Sequence, residues 1–253
     1  MNVLKSLCVA FSMYSKIPMP KINWDESNMK YALCFFPLVG AVIGAAFAAI
    51  FLLCEALKIG NILRAALMTA LPVMISGGIH VDGFLDTCDA LSSYGDREKK
   101  LEILKDPHTG AFAIIGAAVY FILYLGFVSE INSIKTVLAV SVCFVMSRSL
   151  SGLALCLFKC AKNSGLLYTF KSAAQRKAVT AVMCAYIAVC AAAVVFIDLR
   201  TGIFTLAAAA IAFLWYRHIA YSKFGGATGD VAGYFLCVCE LLCVIAGGMV
   251  CVL

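Results

Sequence analysis

Thr136–Phe158, TVLAVSVCFVMSRSLSGLALCLF, runs for 23 residues with one charge, Arg148. A helix needs about 20 apolar residues to cross the hydrocarbon core of a bilayer, so this stretch is long enough to span alone. Six further charge-poor windows surround it: Tyr31–Cys54, Ala65–Ile79, Pro107–Ser129, Ala178–Ile197, Thr201–Tyr216 and Val231–Leu253. Strands of an outer-membrane barrel alternate polar and apolar residues, whereas these windows are continuously apolar and rich in Ala, Leu and Val. The composition agrees: 63% of the 253 residues are apolar and 13% charged, with a mean hydropathy of +0.97. A soluble domain carries about 25% charged residues. The sequence therefore predicts an all-α integral membrane protein, a polytopic bundle of about seven transmembrane helices. It forms a single membrane-embedded domain over 1–253, with 1–30 a surface or partly inserted segment.

The thirteen cysteines do not change this picture. Most lie inside apolar windows, as Cys54, Cys143, Cys184, Cys190 and Cys243 do, and read as small buried apolar residues. No Cys-x-x-Cys pair exists, and Cys237-x-Cys239 and Cys156-x3-Cys160 lack companion histidines, which argues against zinc. Met1–Lys16 has basic residues at both ends and too short an apolar core for a cleaved signal.

Placement of the basic residues sets an orientation, because cytoplasmic loops of membrane proteins are enriched in Lys and Arg. With seven spans, fifteen of the twenty basic residues fall on one side, in the segments before the first span and after the second, fourth and sixth. The opposite loops hold Lys58, Arg64, Lys135 and Arg200, and Arg148 sits within a span. The expected protein is a multi-pass component of the cytoplasmic (inner) membrane, its N-terminus and functional loops facing the cytoplasm. Nucleic acid is excluded as a partner by the lack of a basic face with stacking aromatics. A homo-oligomer remains allowed.

Two unusual stretches fall on that side. The first runs Gly77-Gly78-Ile79-His80-Val81-Asp82-Gly83-Phe84-Leu85-Asp86-Thr87-Cys88-Asp89 and on to Lys105-Asp106-Pro107-His108. It holds seven of the fourteen acids. Arg97–Glu102 reads as a wetted helix with alternating charge, but Asp82, Asp86 and Asp89 stand among apolar residues. Their i, i+4, i+7 spacing puts all three on one helix face. Like charges beside lipid need something positive to offset them. A hard cation such as Mg²⁺, which takes oxygen ligands and bridges to substrate phosphates, meets that need. Proton or sodium transport by the same acids is the rival reading.

The second stretch is Lys223-Phe224-Gly225-Gly226-Ala227-Thr228-Gly229-Asp230, followed by Glu240 in the last span. Glycine-dense turns let backbone N–H groups approach phosphate oxygens; glycine also simply ends helices. Gly-Gly-x-x-x-Asp occurs twice, at Gly77–Asp82 and Gly225–Asp230, each time after one of the two shortest apolar windows. Short, glycine-interrupted segments in matching places point to a binding site in duplicated membrane folds.

The stretch Gly77–Thr87 resembles the signature of the cobalamin synthase family, the adenosylcobinamide-GDP ribazoletransferases. Lys105-Asp106 with Gly110-Ala111-Phe112, Ser147-Arg148, Gly225–Asp230 and Gly233 resemble its later blocks, and Phe11–Pro20 and Phe36–Gly40 its N-terminal ones. The similarity covers essentially the whole chain. His80 two residues before Asp82-Gly83, and Asp86-Thr87 where an Ala-Arg pair would stand, separate it from the CDP-alcohol phosphotransferases. Tyr234 and the cysteine-rich tail depart from the family pattern and weaken the case for Glu240.

The resemblance implies that the 3′-hydroxyl of α-ribazole, or of its 5′-phosphate, attacks the phosphorus attached to adenosylcobinamide, and GMP leaves. Asp82, Asp86 and Asp89 are the candidates to hold Mg²⁺, and Asp106 or Asp230 to accept the hydroxyl proton. His80 is either a base or phosphate contact or a tie to a helix end. Candidates for binding phosphate are Gly77, Gly78, Gly225, Gly226, Thr228 and Gly229, with Lys105 and the mid-span Arg148. Arg148 otherwise forms an ion pair without a substrate role. His108 reads as structural, His218 as an interfacial anchor and Lys159–Lys177 as a solvated loop. The alternatives are another membrane phosphotransferase of the CDP-alcohol type and an ion-coupled transporter.

Overall fold

Every apolar window becomes helix. The computed structural model describes residues 3–162 and 165–253, without the side chain of Leu166. Residues 1–2 of the N-terminal segment and 163–164 of the expected 159–177 loop lie outside the described residues. Helix α1 (Val3–Tyr14) and α2 (Glu26–Met29) precede a 3-10 turn, Ala32–Phe35, that leads into α3 (Phe36–Ala56). Then come α4 (Asn61–Ser76), α5 (Ile79–Ser92), α6 (Arg97–Ile103), α7 (Ala111–Glu130) and α8 (Ile134–Leu157). Last are α9 (Leu166–Ala173), α10 (Arg176–Ile197), α11 (Leu199–Lys223) and α12 (Gly229–Val252). No strand occurs among the described residues; a single bridge pairs Cys160 with Ala227.

Six helices, α3, α7, α8, α10, α11 and α12, are long and apolar enough to cross a membrane. The window Ala65–Ile79 is different. Helix α4 has 16 residues, which at about 1.5 Å per residue falls short of a core of about 30 Å. It stops at Gly77 and Gly78, whose φ values of 69° and 80° suit glycine because it has no Cβ to clash. The chain then turns by 96° into α5, so this expected span is a broken pair and makes a seventh crossing only if the two helices count as one. The other window taken as short, Thr201–Tyr216, belongs to the 25-residue α11. Its apolar pattern runs past the window through Tyr221, so only the first glycine turn follows a short span.

Helix α8 is the axis. Sixteen of its residues are buried, and it packs against α3, α10, α11 and α12. Gly40 and Gly44 lay the α3 backbone on the carbonyls of Phe144 and Ser141, the close approach that small residues four apart allow between membrane helices. Ile122 of α7, Val189 and Phe196 of α10 and Ile211 and Leu214 of α11 point outward and exposed, as lipid-facing residues do. The segment 1–30 is less superficial than expected: Val9 and Ala10 are fully buried and α1 packs on α3.

The spans alternate so that two ends of the bundle differ. At one end Asn61 Nδ2 donates to the Ser129 carbonyl (2.8 Å), and Arg64 pairs with Glu55, joining the α3–α4 and α7–α8 turns. At the other end gather residues 13–36, 79–105, 158–162 and 165–175 and the α11–α12 turn, parts of which line one cavity.

Candidate active site

The site begins with how α5 and α12 start. Each follows a Gly-Gly turn and carries an aspartate, Asp82 or Asp230, in its first turn. Thr228 caps α12, its Oγ1 accepting from Val231 N at 3.2 Å. The two helices then cross in contact. A methyl group on Gly83 would stand 2.8 Å from the Asp230 backbone, and one on Gly233 3.0 Å from the His80 carbonyl. Side chains at either position would push the helices apart, so the two glycines bring the helix starts together.

Both first turns line a cavity of about 380 Å³. His80, Asp82, Thr228, Gly229 and Asp230 contribute to it, as do Lys105 and Lys162. Helix N-termini favour anions through unpaired N–H groups and the helix dipole, and two lysines reinforce that preference. Lys162 Nζ donates to the Leu101 carbonyl at 2.9 Å. Burial, helped by the neighbouring Lys105, pulls its ammonium below the usual lysine range, while Asp230 acts in the opposite sense. Asp82 is exposed, Asp230 half-buried, and Asp86, one turn further along α5, lies within coulombic range of both.

Asp89 has other work. Its carboxylate accepts from Gly110 N at 2.6 Å and Ala113 N at 2.9 Å, so it caps α7 from a neighbouring helix. Among the described residues no three His, Cys, Asp or Glu side chains converge as a metal cluster. The helical register expected for Asp82, Asp86 and Asp89 is present, but the third carboxylate is held by backbone amides, and Asp230 stands in the cavity with Asp82 instead.

Several expected contacts sit elsewhere. Asp106 is exposed and accepts from its own neighbour, the His108 N–H at 3.0 Å, with His108 Nδ1 at 2.7 Å. Those bonds hold its carboxyl below the usual carboxylate range, which makes it a poor base, and it does not line the cavity. Gly77 and Gly78 form the α4–α5 bend and do not line the cavity, and the Lys16 side chain lies against Gly77. Gly225 and Gly226 are also off the cavity. Their loop is tied to 159–161 by Ala227 N to Lys159 O (2.8 Å) and Ala161 N to Ala227 O (3.0 Å). Arg148 is 1% exposed and below the cavity floor formed by Ser151, Gly152 and Leu155. Its Nη1 donates to Glu240 Oε1 at 2.5 Å, to Phe144 O and to Ser147 Oγ, tying α8 to α12. The mid-span arginine is therefore neutralised by the mid-span glutamate.

A family model for cobalamin-5-phosphate synthase matches residues 6–248, nearly the whole chain. The chain belongs to the cobalamin-5-phosphate synthase family. Its similarity to named relatives runs end to end. The adenosylcobinamide-GDP ribazoletransferase of Lachnoclostridium phytofermentans is 50% identical over 99% of this chain and 97% of its own length. That of Clostridium botulinum strain Alaska E43 is 32% identical over 95% and 96%, and that of a Geobacillus species, strain WCH70, 31% identical over 87% and 86%. No solved structure matches the chain.

Within this cobalamin-5-phosphate synthase family member, the cavity also has residues that the motifs did not single out. Lys162 and Phe170 come from the stretch expected to be a solvated loop. Phe170 of α9 is 1% exposed and packs into the core. So short an apolar run within a basic stretch has no periodicity to reveal its buried face; the mixed Leu-Leu-Tyr-Thr-Phe sequence at 166–170 was the available signal. Tyr14 and Phe36, from the two N-terminal blocks, complete that wall.

Proposed function

We propose that this protein transfers the adenosylcobinamide phosphate group of adenosylcobinamide-GDP to α-ribazole or its 5′-phosphate, releasing GMP. The observation that carries this reading is the shared cavity in which Asp82 and Asp230 open two helices beside Lys105 and Lys162. The relatives' names describe this transfer, and their similarity extends over both helix starts.

In this reaction the ribose hydroxyl oxygen forms a bond to the phosphorus that carries cobinamide, and the bond from that phosphorus to the GMP oxygen breaks. The hydroxyl proton passes to a carboxylate. Asp230 is the base of choice, since Asp106 is exposed and tied to His108. Negative charge grows on the departing phosphate, and fixed positive groups already aimed at that place lower the barrier most. Lys105, Lys162 and the first-turn N–H groups of α5 and α12 line the cavity and are the groups available for this. Magnesium suits the donor set, because it is commonly bound by one or two carboxylates together with substrate phosphates and water. Asp82 and Asp86 would hold it, leaving Asp230 to the hydroxyl; when bound, it supplies charge neutralisation at the transferring phosphoryl group.

Fifteen of the twenty basic residues fall on this side, which supports a cytoplasmic position for this end of the bundle. The protein is then a multi-pass enzyme of the inner membrane whose cavity opens to cytoplasmic nucleotide. Detergent-purified protein given adenosylcobinamide-GDP, α-ribazole and Mg²⁺ is expected to release GMP in step with nucleoside consumed. No GMP would overturn the reaction, and full activity in excess chelator would overturn the metal.

A further inference from the structure

The cavity is lined by two unlike groups of side chains. One is polar, with Asp82, Asp230, Lys105 and Lys162. The other is a wall of rings. Tyr14 lies 4.1 Å from Phe36, 6.2 Å from Phe170 and 6.2 Å from the imidazole of His80, centroid to centroid, with the last pair inclined by only 24°. Phe36 and Phe170 are buried while Tyr14 is half-buried, leaving part of its ring open to the cavity it lines. His80 is 8% exposed, and its Nε2 is buried with no hydrogen-bond partner among the described residues. A buried polar atom without a partner is expensive; the His80 side chain lines the cavity, so a small turn of its ring that brings Nε2 to a flat, apolar ligand with one matching polar atom is repaid by the hydrogen bond formed.

We propose that this ring-lined part is the subsite for the base of the attacking nucleoside, with His80 Nε2 donating a hydrogen bond to the base's free ring nitrogen and Tyr14 stacking on its face. The assignment rests on the transfer reaction proposed above. At about 380 Å³ the cavity is at the small end for ligand sites, and a corrin macrocycle is far too large to enter it. Guanine has donors and acceptors along several edges and would need several polar partners, which the ring wall does not offer. A benzimidazole joined to ribose has one uncommitted ring nitrogen, an acceptor only, and two fused rings that stack on aromatic side chains. With the base held there, the attached ribose stays in the cavity with Asp82 and Asp230. His80 thus positions and selects the nucleophile; the carboxylates serve its hydroxyl.

The experiment compares α-ribazole with the matching indole riboside, in which C–H replaces the free ring nitrogen, by GMP release from adenosylcobinamide-GDP. The unaltered enzyme is expected to favour the benzimidazole by about tenfold in kcat/KM, and His80→Phe to reduce that preference to about unity. Tyr14→Leu is expected to raise the KM for α-ribazole about tenfold while leaving that for adenosylcobinamide-GDP unchanged. Equal use of both nucleosides by the unaltered enzyme overturns the proposal. So does a preference that survives His80→Phe, or an unchanged nucleoside KM in Tyr14→Leu. Absence of GMP release with either nucleoside would instead overturn the transfer reaction itself.

Discussion

Helices α5 and α12 begin with the same spacing, Gly-Gly-x-x-x-Asp, yet the two glycine turns do different things. Gly77-Gly78 uses two positive φ angles to turn a short helix through 96°. Lys16 lies over Gly77, and nothing stands within 4 Å of a Cβ on Gly78. Gly225-Gly226 joins two full-length spans and is fastened by backbone pairing to 159–161. A Cβ on Gly226 would lie 2.6 Å from that backbone. What the two starts share is downstream: an aspartate in the first turn, and a glycine, Gly83 or Gly233, that lets the helices touch. The repeated motif marks where two helix N-termini meet, and its paired glycines shape the chain without lining the cavity.

That contrast can be broken most severely at the aspartates. Asp82→Asn and Asp230→Asn are each expected to lower GMP release by about 10²–10³-fold, the scale of losing one preorganised electrostatic group, with the variants recovered folded in detergent. Steady-state turnover at saturating substrate checks this; near-normal turnover in either would remove that helix start from the site.

The glycines come next. Gly226→Val forces a side chain into backbone and is expected to cost about 1–3 kcal/mol by overpacking, visible as a lowered Tm. Gly78→Ala meets open space and is charged only for its left-handed backbone, about 1–2 kcal/mol. Comparing the two Tm values sharpens the difference between a packed turn and a free one. If Gly226→Val were as stable as the unaltered protein, the pairing of the second loop to 159–161 would be wrong.

Asp89 tests the boundary of the site. Removing its charge weakens the cap on α7, for which about 1 kcal/mol is the usual scale, so Asp89→Ala is expected to lower Tm modestly while turnover of the folded fraction changes only a few-fold. A loss matching that of Asp82→Asn would restore Asp89 to the metal site. The smallest effect is expected at Asp106, which is exposed. Its carboxyl is held below the usual range by His108, so whatever stability the pair adds is present above the unfolded carboxylate range and disappears as pH falls through the depressed value. Asp106→Asn should flatten that acid-side dependence and leave turnover within about twofold. A collapse of turnover would make Asp106 the base.

Hydropathy made the spans legible because a bilayer demands long apolar runs whatever their packing. It could not show the break at Gly77-Gly78, since a window average is blind to φ. The register of Asp82, Asp86 and Asp89 was readable from spacing, but the partner of Asp89 was not. That depends on the N-terminus of α7 arriving 21 residues later beside α5. Arg148 and Glu240 each stood out as lone mid-span charges, and their 92-residue separation concealed that each answers the other. The ring wall was least legible, because Tyr14, Phe36, His80 and Phe170 come from four separate segments and only His80 stands out in its own neighbourhood.

The central claim is that Asp82 and Asp230, from the two halves of the repeated motif, act on one phosphate centre. A double-mutant cycle with Asp82→Asn and Asp230→Asn, read as GMP release at saturating Mg²⁺ and substrate, tests it directly. Groups that work as a unit are strongly non-additive, so the double variant is expected to be little worse than the poorer single one. Losses that multiply, with the double variant falling by the product of the two single effects, would mean that the helix starts serve separate tasks and would contradict the shared site.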